Sequence, residues 1–343
     1  VFKTLADPFV GKLSFVRVVK GILKADSTVY NVNKQKDERF GSLLVMRGKN
    51  QDTVTEAHAG DIVAIAKLAE TTTGDTLGIK GKTEELPGIE FPKPIFPVAV
   101  LAKSRNDEDK LGLSLARLAE EDPSLSIEKN TETKETILSG MGEQHLDIVQ
   151  ERLQRKFGVE VITKTPKVPY RETIRGTAES EYKHKKQSGG HGQYGHVKLR
   201  LEPLAEKDFE FAETIFGGSV PKNYHPAVEK GVREAMAEGI LAGYPVTNVK
   251  VTLYDGSYHE VDSSEMSFKI ASSMAFKKGM EKASPVLMEP IMMVEVHVPE
   301  QFMGDIISDL NGKRGRILGM EPKGKWQIVK AHVPLAEMYR YAI

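Results

Sequence analysis

Hydrophobic and polar residues alternate over the first 86 positions, in short runs that end at glycine or asparagine. Four runs are long enough to predict β-strands: Leu13–Val19, Thr28–Val32, Arg39–Met46 and Asp61–Lys67. No helical spacing of apolar residues accompanies them. Several short strands so arranged are typical of a small closed barrel, so we predict a β-barrel over residues 1–86. The proline-rich stretch 87–94 cannot form a helix and indicates a linker.

Residues 92–165 show a different pattern, in which helical and strand periods alternate. The predicted strands are Phe96–Ala102, Leu125–Lys129, Glu135–Leu138 and Val159–Thr163. Two helices are predicted from apolar residues that fall on one face: Leu111, Leu115, Leu118 and Ala119 in the first, and Leu146, Val149, Leu153 and Phe157 in the second. We expect Pro123 to stop the first helix and Gly158 to end the second. This β-α-β-β-α-β order predicts a ferredoxin-like module.

Two further modules are predicted after the linker at residues 165–169. Over residues 169–286 we expect strands around a glycine-rich loop, helices at Pro226–Ala242 and Ser264–Lys282, and a strand at Val246–Tyr254. The stripe Met266, Ile270 and Met274 on the second helix is interpreted as core filling.

The last module, residues 287–343, begins the ferredoxin-like order again. Its predicted elements are Ile291–Val298, Gln301–Asn311, a strand after Gly315, Gln327–Val333 and Leu335–Tyr339. The chain ends at Ile343 before a closing strand, so we expect either that the protein continues beyond it or that a partner completes the sheet. The predicted fold class is multidomain α+β: a β-barrel, two ferredoxin-like sandwiches and an elongated α+β module between the sandwiches.

Composition narrows the class of protein. No apolar run approaches the roughly 18–20 residues of a membrane span and no export leader is visible, so we expect no membrane partner and a cytoplasmic location. There are 0 cysteines, which excludes disulfides and thiolate metal sites. The formal net charge of +0 hides segregation: residues 103–151 carry a net −6, whereas residues 169–200 and 311–330 carry net +4 and +5. Two basic stretches in different modules favour an RNA-binding surface.

One glycine motif, Gly190-x-Gly192-x-x-Gly195, matches nucleotide-binding fingerprints only superficially. The dinucleotide version needs a helix after it, whereas residues 196–201 alternate like a strand. The kinase version needs H-R-D and D-F-G motifs, and the sequence contains neither. We therefore interpret the motif as a loop whose glycines let the backbone approach an irregular RNA surface.

Other short patterns fail chemical tests. The stretch Gly78–Thr83 resembles a phosphate loop, but Thr76 stands where the first glycine is required. Asn33–Lys36 lacks the aspartate that specifies guanine, so we expect no GTP binding here. His184, His191 and His196 lie among lysines that would repel a cation, so we expect no metal. Tyr258–Asp262 could suggest an acid–base pair, but a helix N-cap at Asp262 or Ser263 explains it more simply, and we predict no catalytic residue in this chain.

Several longer strings resemble the bacterial elongation factor G family over all 343 residues. Those that carry the resemblance are Ala6–Gly11, Thr73–Leu77, Leu115–Pro123, Ser139–Leu146, Gln187–Gly195, Asp255–Glu265 and Arg314–Ile317. The resemblance implies family domains II to V over residues 1–86, 92–165, 169–286 and 287–343, with a ribosomal protein S5-like third module. It also implies that a GTPase domain precedes Val1, so that this fragment is not an enzyme and binds no cofactor, while the full-length protein uses GTP and magnesium.

The same resemblance implies function and site residues. Members of the family couple GTP hydrolysis to movement of tRNA and mRNA on the ribosome, and the third module reaches the decoding region through two tip loops. These correspond here to Ser188, Gly189, Gly190, His191, Gly192, Gln193 and Tyr194, and to Tyr258, His259, Glu260, Asp262 and Ser263. Further basic contacts are expected at Lys183, Lys185, Lys186, Lys313, Arg314 and Arg316. The expected partners are ribosomal RNA, tRNA–mRNA and the protein's own GTPase domain, with the protein a monomer.

The family implies three further roles: the barrel lies on the small-subunit body, the turn Gly140–Gln144 relays between the GTPase domain and the ribosome, and Lys313–Arg316 contacts large-subunit RNA. Two departures leave alternatives open. His191 replaces the family's usual Arg or Lys, and Lys183–Lys186 resembles an elongation factor G-like paralogue. The alternatives are such a paralogue, acting in ribosome recycling, stress or antibiotic protection, and a stand-alone RNA-binding or ribosome assembly module.

Overall fold

The computed structural model describes residues 1–7, 10–48, 50–187 and 192–341. The chain divides into two compact units. One unit is Val1–Lys167 with Tyr339–Ile343, and the other is Val168–Met338. In the described part of the chain, no helix is long and apolar enough to cross a membrane.

In its described residues the first module contains strands, in three sheets, and their buried apolar side chains form two clusters. Strands β1 to β10 are Lys3–Asp7, Gly11–Arg17, Ile22–Lys24, Thr28–Asn31, Lys36–Arg39, Leu43–Arg47, Asn50–Val54, Glu56–His58, Ile62–Ala66 and Leu77–Gly78. The sheets have the orders β1-β2-β9-β6-β7, β10-β4-β5 and β3-β8. One cluster, which includes Val29, Leu43 and Ile65, forms a shared core. This arrangement fits the predicted barrel.

One predicted strand of this module is wrong. Arg39–Met46 is not one strand, because β5 pairs with β4 in one sheet while β6 pairs with β9 in another. Between them the chain turns inward at Phe40, which is only 4% exposed, and the Gly41 carbonyl accepts a bond from the Asp26 amide. Because the chain passes from one sheet to the other at Phe40 and Gly41, the predicted strand is divided into β5 and β6.

The two near-miss nucleotide motifs have structural roles in this module. Thr83 Oγ1 accepts a hydrogen bond from the Ile79 amide at 2.8 Å and thereby closes the loop that resembles a phosphate loop. The Asn33 side chain accepts from the Thr76 amide at 2.8 Å and donates to Glu85 at 2.6 Å. Both side chains therefore stabilise turns at the edge of the barrel.

The second module has the predicted ferredoxin-like order. Its elements are β11 (Phe96–Ala102), α1 (Arg105–Glu121), β12 (Ser126–Lys129), β13 (Thr136–Gly140), α2 (Glu143–Phe157) and β14 (Val161–Lys164). The sheet order is β12-β13-β11-β14, with all neighbours antiparallel. Ser104 caps the start of α1, and Gly158 ends α2 in the left-handed conformation with φ 64°, as the sequence predicted.

The third module consists of a four-stranded sheet with two helices packed against it. Its elements are β15 (Arg171–Ile174), β16 (Ala178–Lys186), β17 (Gln193–Pro203), β18 (Phe209–Glu213), α3 (His225–Glu238), β19 (Val249–Ser257), α4 (Glu265–Lys282) and β20 (Pro285–Met288). The main sheet has the order β16-β17-β19-β18, and β15 pairs with β20. The core between sheet and helices includes Leu199, Val251 and Phe268, all 0% exposed.

The interpretation of the methionine stripe on α4 as core filling is wrong. Met266 is 56% exposed and Met274 is 37% exposed, and Ile270 is only partly buried. The buried face instead carries Phe268, Ala271, Ala275, Phe276 and Met280. Apolar residues lie on more than one side of this helix, so the helical period does not say which face packs against the sheet.

The last module contains a three-stranded antiparallel sheet. Its elements are β21 (Ile291–Pro299), a short 3-10 turn, α5 (Met303–Gly312), β22 (Arg316–Lys323), β23 (Trp326–Pro334) and α6 (Leu335–Met338). The sheet order β21-β23-β22 places the first strand at an edge. The element order agrees with the sequence prediction.

Candidate nucleic-acid interface

A long hairpin carries the first predicted tip loop. Strands β16 and β17 pair without interruption from Ala178↔Leu201 to Lys186↔Gln193. The predicted contact residues Ser188, Gly189, Gly190 and His191 fall outside the described residues. The described remainder of this loop is Gln187 and Gly192, and Gln193 and Tyr194 begin β17.

Hydrogen bonds join the two predicted loops, although about 70 residues separate them. The Gly192 amide donates to Asp262 Oδ1 at 2.9 Å. The Tyr194 amide donates to the Asp262 carbonyl at 2.8 Å, and a parallel bridge pairs Tyr194 with Ser263. Asp262 therefore connects the loops through both its side chain and its backbone.

His259 is held in one orientation by the loop that carries it. Its Nδ1 accepts from the amides of Val261 at 3.3 Å and Asp262 at 3.2 Å. An accepting Nδ1 carries no proton, so the neutral ring carries its proton on Nε2. The His259 amide donates to Ser263 Oγ at 2.8 Å, and the side chain is 55% exposed. The loop thus presents a donor nitrogen to an external partner.

The predicted N-cap at Asp262 or Ser263 is wrong. Ser264 caps α4, because its Oγ accepts from the Ser267 amide at 3.2 Å. Asp262 is used to hold the first loop and Ser263 to close the second. Tyr258 is 44% exposed at the start of the second loop, and Glu260 is also exposed.

Tyr194 and His196 connect the first loop to β19. Both the Tyr194 hydroxyl and His196 Nδ1 lie within 2.9 Å of Ser257 Oγ. Burial lowers the pKa of His196, and the charge of nearby Lys183 lowers it further. At neutral pH this ring is therefore uncharged and does not add to the positive charge of the tip.

Two glycines allow the close packing that supports the tip. A Cβ on Gly195 would lie 2.7 Å from the backbone of Ser267, in the first turn of α4. A Cβ on Gly256 would lie 2.3 Å from the His196 carbonyl oxygen. The glycines of the fingerprint-like motif therefore include one that is needed for helix packing rather than for ligand approach.

Lysines toward the outer end of the hairpin differ in pairing from the basic residues near the middle of the sheet. In the middle, Lys198 pairs with Asp255 at 2.9 Å and Arg200 with Glu179 at 2.8 Å. Lys183, Lys185 and Lys186 form no ion pair with any residue that the structure describes, and all three are exposed. Unpaired exposed lysines attract phosphate more strongly than paired ones, so the outer end favours an anionic partner.

Among the predicted basic contacts of the last module, Arg314 is bound by carboxylates of the protein itself. The Arg314 guanidinium donates to both carboxylate oxygens of Glu289, at 2.6 and 3.0 Å, and to Glu337 at 3.1 Å. These hydrogen bonds, Glu289 foremost, raise the pKa of Arg314. Lys313 lies 3.9 Å from Asp309, and Arg316 is exposed. Arg314 therefore has an intramolecular role that its sequence motif did not indicate.

Sequence reasoning missed Tyr224, which supports the second loop. Its ring stacks on Phe268 with centroids 4.6 Å apart, and its hydroxyl donates to the Ser263 carbonyl at 3.3 Å. Tyr224 belongs to a 3-10 turn just before α3. No local pattern signals this role, because the partners lie about 40 residues further along the chain.

Comparisons with known proteins agree with this architecture. Family models match in chain order: elongation factor G domain 2 at residues 1–79, domain III at 91–165, domain IV at 166–284 and the C-terminus at 286–343. A crystal structure of a protein from Thermus thermophilus is similar to this chain, with 47% identity and a TM-score of 0.82. The match covers 99% of this chain and 51% of that one, so the chain spans about half of its relative.

The modules and their joined loops define a multidomain α+β protein with an elongated tip domain. The chain belongs to the elongation factor G family. The two loops joined by Asp262 lie within the region that matches domain IV.

Proposed function

We propose that this chain is the ribosome-binding part of a translational GTPase that promotes movement of tRNA and mRNA during protein synthesis. The observation that carries this proposal is the pair of loops joined through Asp262 at the end of the β16–β17 hairpin. Family membership supports it, because the matched regions are those of a translation elongation factor.

The chemistry of the tip suits RNA in three ways. Lys183, Lys185 and Lys186 provide long-range attraction to phosphate. His259 offers a fixed donor nitrogen for a phosphate, sugar or base edge. Tyr194 adds an aromatic ring beside His259, with the two ring centroids 6.2 Å apart. Because the second loop is closed by its own hydrogen bonds, little conformational freedom would be lost on binding.

The test is an mRNA position assay with the natural gene product, GTP and ribosomes that hold tRNAs before translocation. We expect the mRNA to advance by one codon, measured by reverse transcription up to the ribosome edge. Binding that depends on GTP without movement of the mRNA would favour the paralogue acting in recycling, stress or antibiotic protection. An absence of ribosome binding would overturn the proposal and favour the stand-alone RNA-binding or assembly module.

The same assay, with a variant at His259, tests whether the tip takes part in mRNA movement. His259→Ala should slow mRNA movement by about 5- to 10-fold, because it removes one hydrogen bond worth about 1 kcal/mol. The melting temperature should hardly change, because the freed amides lie on an exposed loop. Glu206→Ala is the control, since that exposed residue of the same module belongs to neither tip loop. Equal rates for His259→Ala and Glu206→Ala would remove His259 from the interface.

A further inference from the structure

Phe216 is the most exposed large hydrophobic residue of the described chain, at 95% exposure. It lies in the loop between β18 and α3, and none of the predicted site residues belongs to that loop. Single exposed apolar residues are common on protein surfaces, so the loop that carries Phe216 and its position in the module decide whether the ring can serve as a contact.

The loop holds Phe216 outward because the residues around it are anchored. The Thr214 amide donates to the Leu253 carbonyl at 2.9 Å, and Ile215 packs against the core of the module. After the loop, Val220 is only 1% exposed, and its carbonyl lies 3.0 Å from His225 Nε2. With both neighbouring apolar side chains turned inward, Phe216 is the one that points away.

The loop lies toward the same end of the module as the two tip loops. Strand β18 runs parallel to β19, so the chain leaves Glu213 in the direction in which β19 reaches Ser257. A Cβ on Gly256 would lie 2.6 Å from Val220 Cγ2, which puts the end of the loop beside that strand. Tyr224, which follows shortly after, donates to the Ser263 carbonyl.

The immediate surroundings of the ring suit a flat partner. Gly217 and Gly218 follow it with φ values of 68° and 72°, and neither carries a side chain that could cover the ring. Thr214 and Ser219 on either side are polar. A protein partner is usually bound through a cluster of apolar residues, whereas one open ring is sufficient to stack on a nucleobase.

We propose that Phe216 stacks on an unpaired base of the RNA that the tip loops contact. This inference rests on the proposed function and adds a third contact to the tip. Stacking needs the planar ring and is largely independent of base identity, so Phe216 would add affinity rather than sequence selectivity.

The experiment measures the affinity of the natural gene product for ribosomes, with Phe216 changed to Ala, Leu or Trp. Phe216→Ala and Phe216→Leu should both weaken binding by roughly 5- to 150-fold, the range measured for loss of one stacked base. Phe216→Trp should keep or strengthen it. Leu241→Ala is the matched control, because Leu241 is an exposed apolar residue of the same module whose amide binds Glu172.

Each outcome decides the inference. If Leu binds as well as Phe while Ala does not, the ring enters an apolar protein pocket and base stacking is wrong. If all three variants bind like the natural protein, Phe216 makes no contact. Should the natural protein itself fail to bind ribosomes, the proposed function fails as well, whereas normal binding by natural protein and variants alike overturns only the stacking. Unchanged melting temperatures would show that the variants fold.

Discussion

Each end of the tip module is held by a carboxylate that accepts hydrogen bonds from backbone amides. The two carboxylates differ in how deeply they are buried and in how many amides they bind. At the inner end, Glu172 is 0% exposed and accepts from the amides of Ile240, Leu241, Ala242 and Tyr244, at 2.6 to 3.1 Å. At the outer end, Asp262 accepts one amide bond from Gly192, and its side chain is 28% exposed.

This difference separates a permanent structural joint from an adjustable one. Burial alone would raise the pKa of Glu172, but the four amide bonds outweigh it and hold the pKa below the ordinary value. The charged carboxylate is therefore the stable form, and it fixes the segment after α3 to β15. Asp262 has water as an alternative partner, so its bond can open at little cost when the loops meet a ligand.

The largest expected effect is at the inner end. Glu172→Ala would leave four amides without their partner and should lower the free energy of unfolding by about 3–5 kcal/mol. Urea denaturation followed by circular dichroism measures it. Glu206→Ala, at an exposed position of the same module, is the control and should change little. If Glu172→Ala lowers the free energy of unfolding by less than about 1 kcal/mol, Glu172 does not hold this end of the module together.

The contribution of Glu172 to stability should also depend on pH. Because the folded pKa of Glu172 is lowered, its stabilising contribution is complete above the ordinary value of 4.5 and is lost as pH falls toward the folded pKa. Glu172→Gln cannot titrate, so its stability should decline less steeply below about pH 4.5. Thermal unfolding over a pH series compares the two proteins. Identical slopes would show that Glu172 does not contribute to acid sensitivity.

The smallest expected stability change is at the outer end. Asp262→Ala removes one partly exposed hydrogen bond and should lower the free energy of unfolding by no more than about 1 kcal/mol, while hydrogen exchange of the Gly192 amide, followed by NMR, becomes faster. Asp262→Asn is the matched control, because its amide oxygen can still accept from Gly192. If Asp262→Ala destabilises as strongly as Glu172→Ala, the two ends do not differ as described.

Local patterns in the sequence predicted most of the elements. The element order of both ferredoxin-like modules follows from short-range periodicity and from stop signals such as Gly158, whose left-handed conformation ends α2. Boundaries were harder to predict where the chain changes sheets, as at Phe40 and Gly41. The N-cap of α4 was predicted one or two residues early, because Asp262, Ser263 and Ser264 are all suitable caps and only the folded loops show which one is free to cap.

The candidate site was predictable in part. The motifs marked both loops, and the unpaired lysines of β16 could be seen as a basic run. The sequence could not show that Arg314 is held by Glu289 and Glu337, or that Tyr224 supports Ser263, because each contact joins residues more than 20 positions apart. Phe216 gave no signal either, since nothing local distinguishes an exposed phenylalanine from a buried one.

The sequence by itself determined the modules, their order and the family, because periodicity, turn residues and long motifs are properties of neighbouring positions. Only the tertiary structure decided which face of α4 is buried. That helix carries apolar residues on several sides, so packing of Phe268 and Phe276 against the sheet, rather than any pattern, leaves Met266 and Met274 in solvent. The joining of Gly192 to Asp262 was likewise decided by folding, because a hydrogen bond between segments 70 residues apart forms only once the sheet has brought them together.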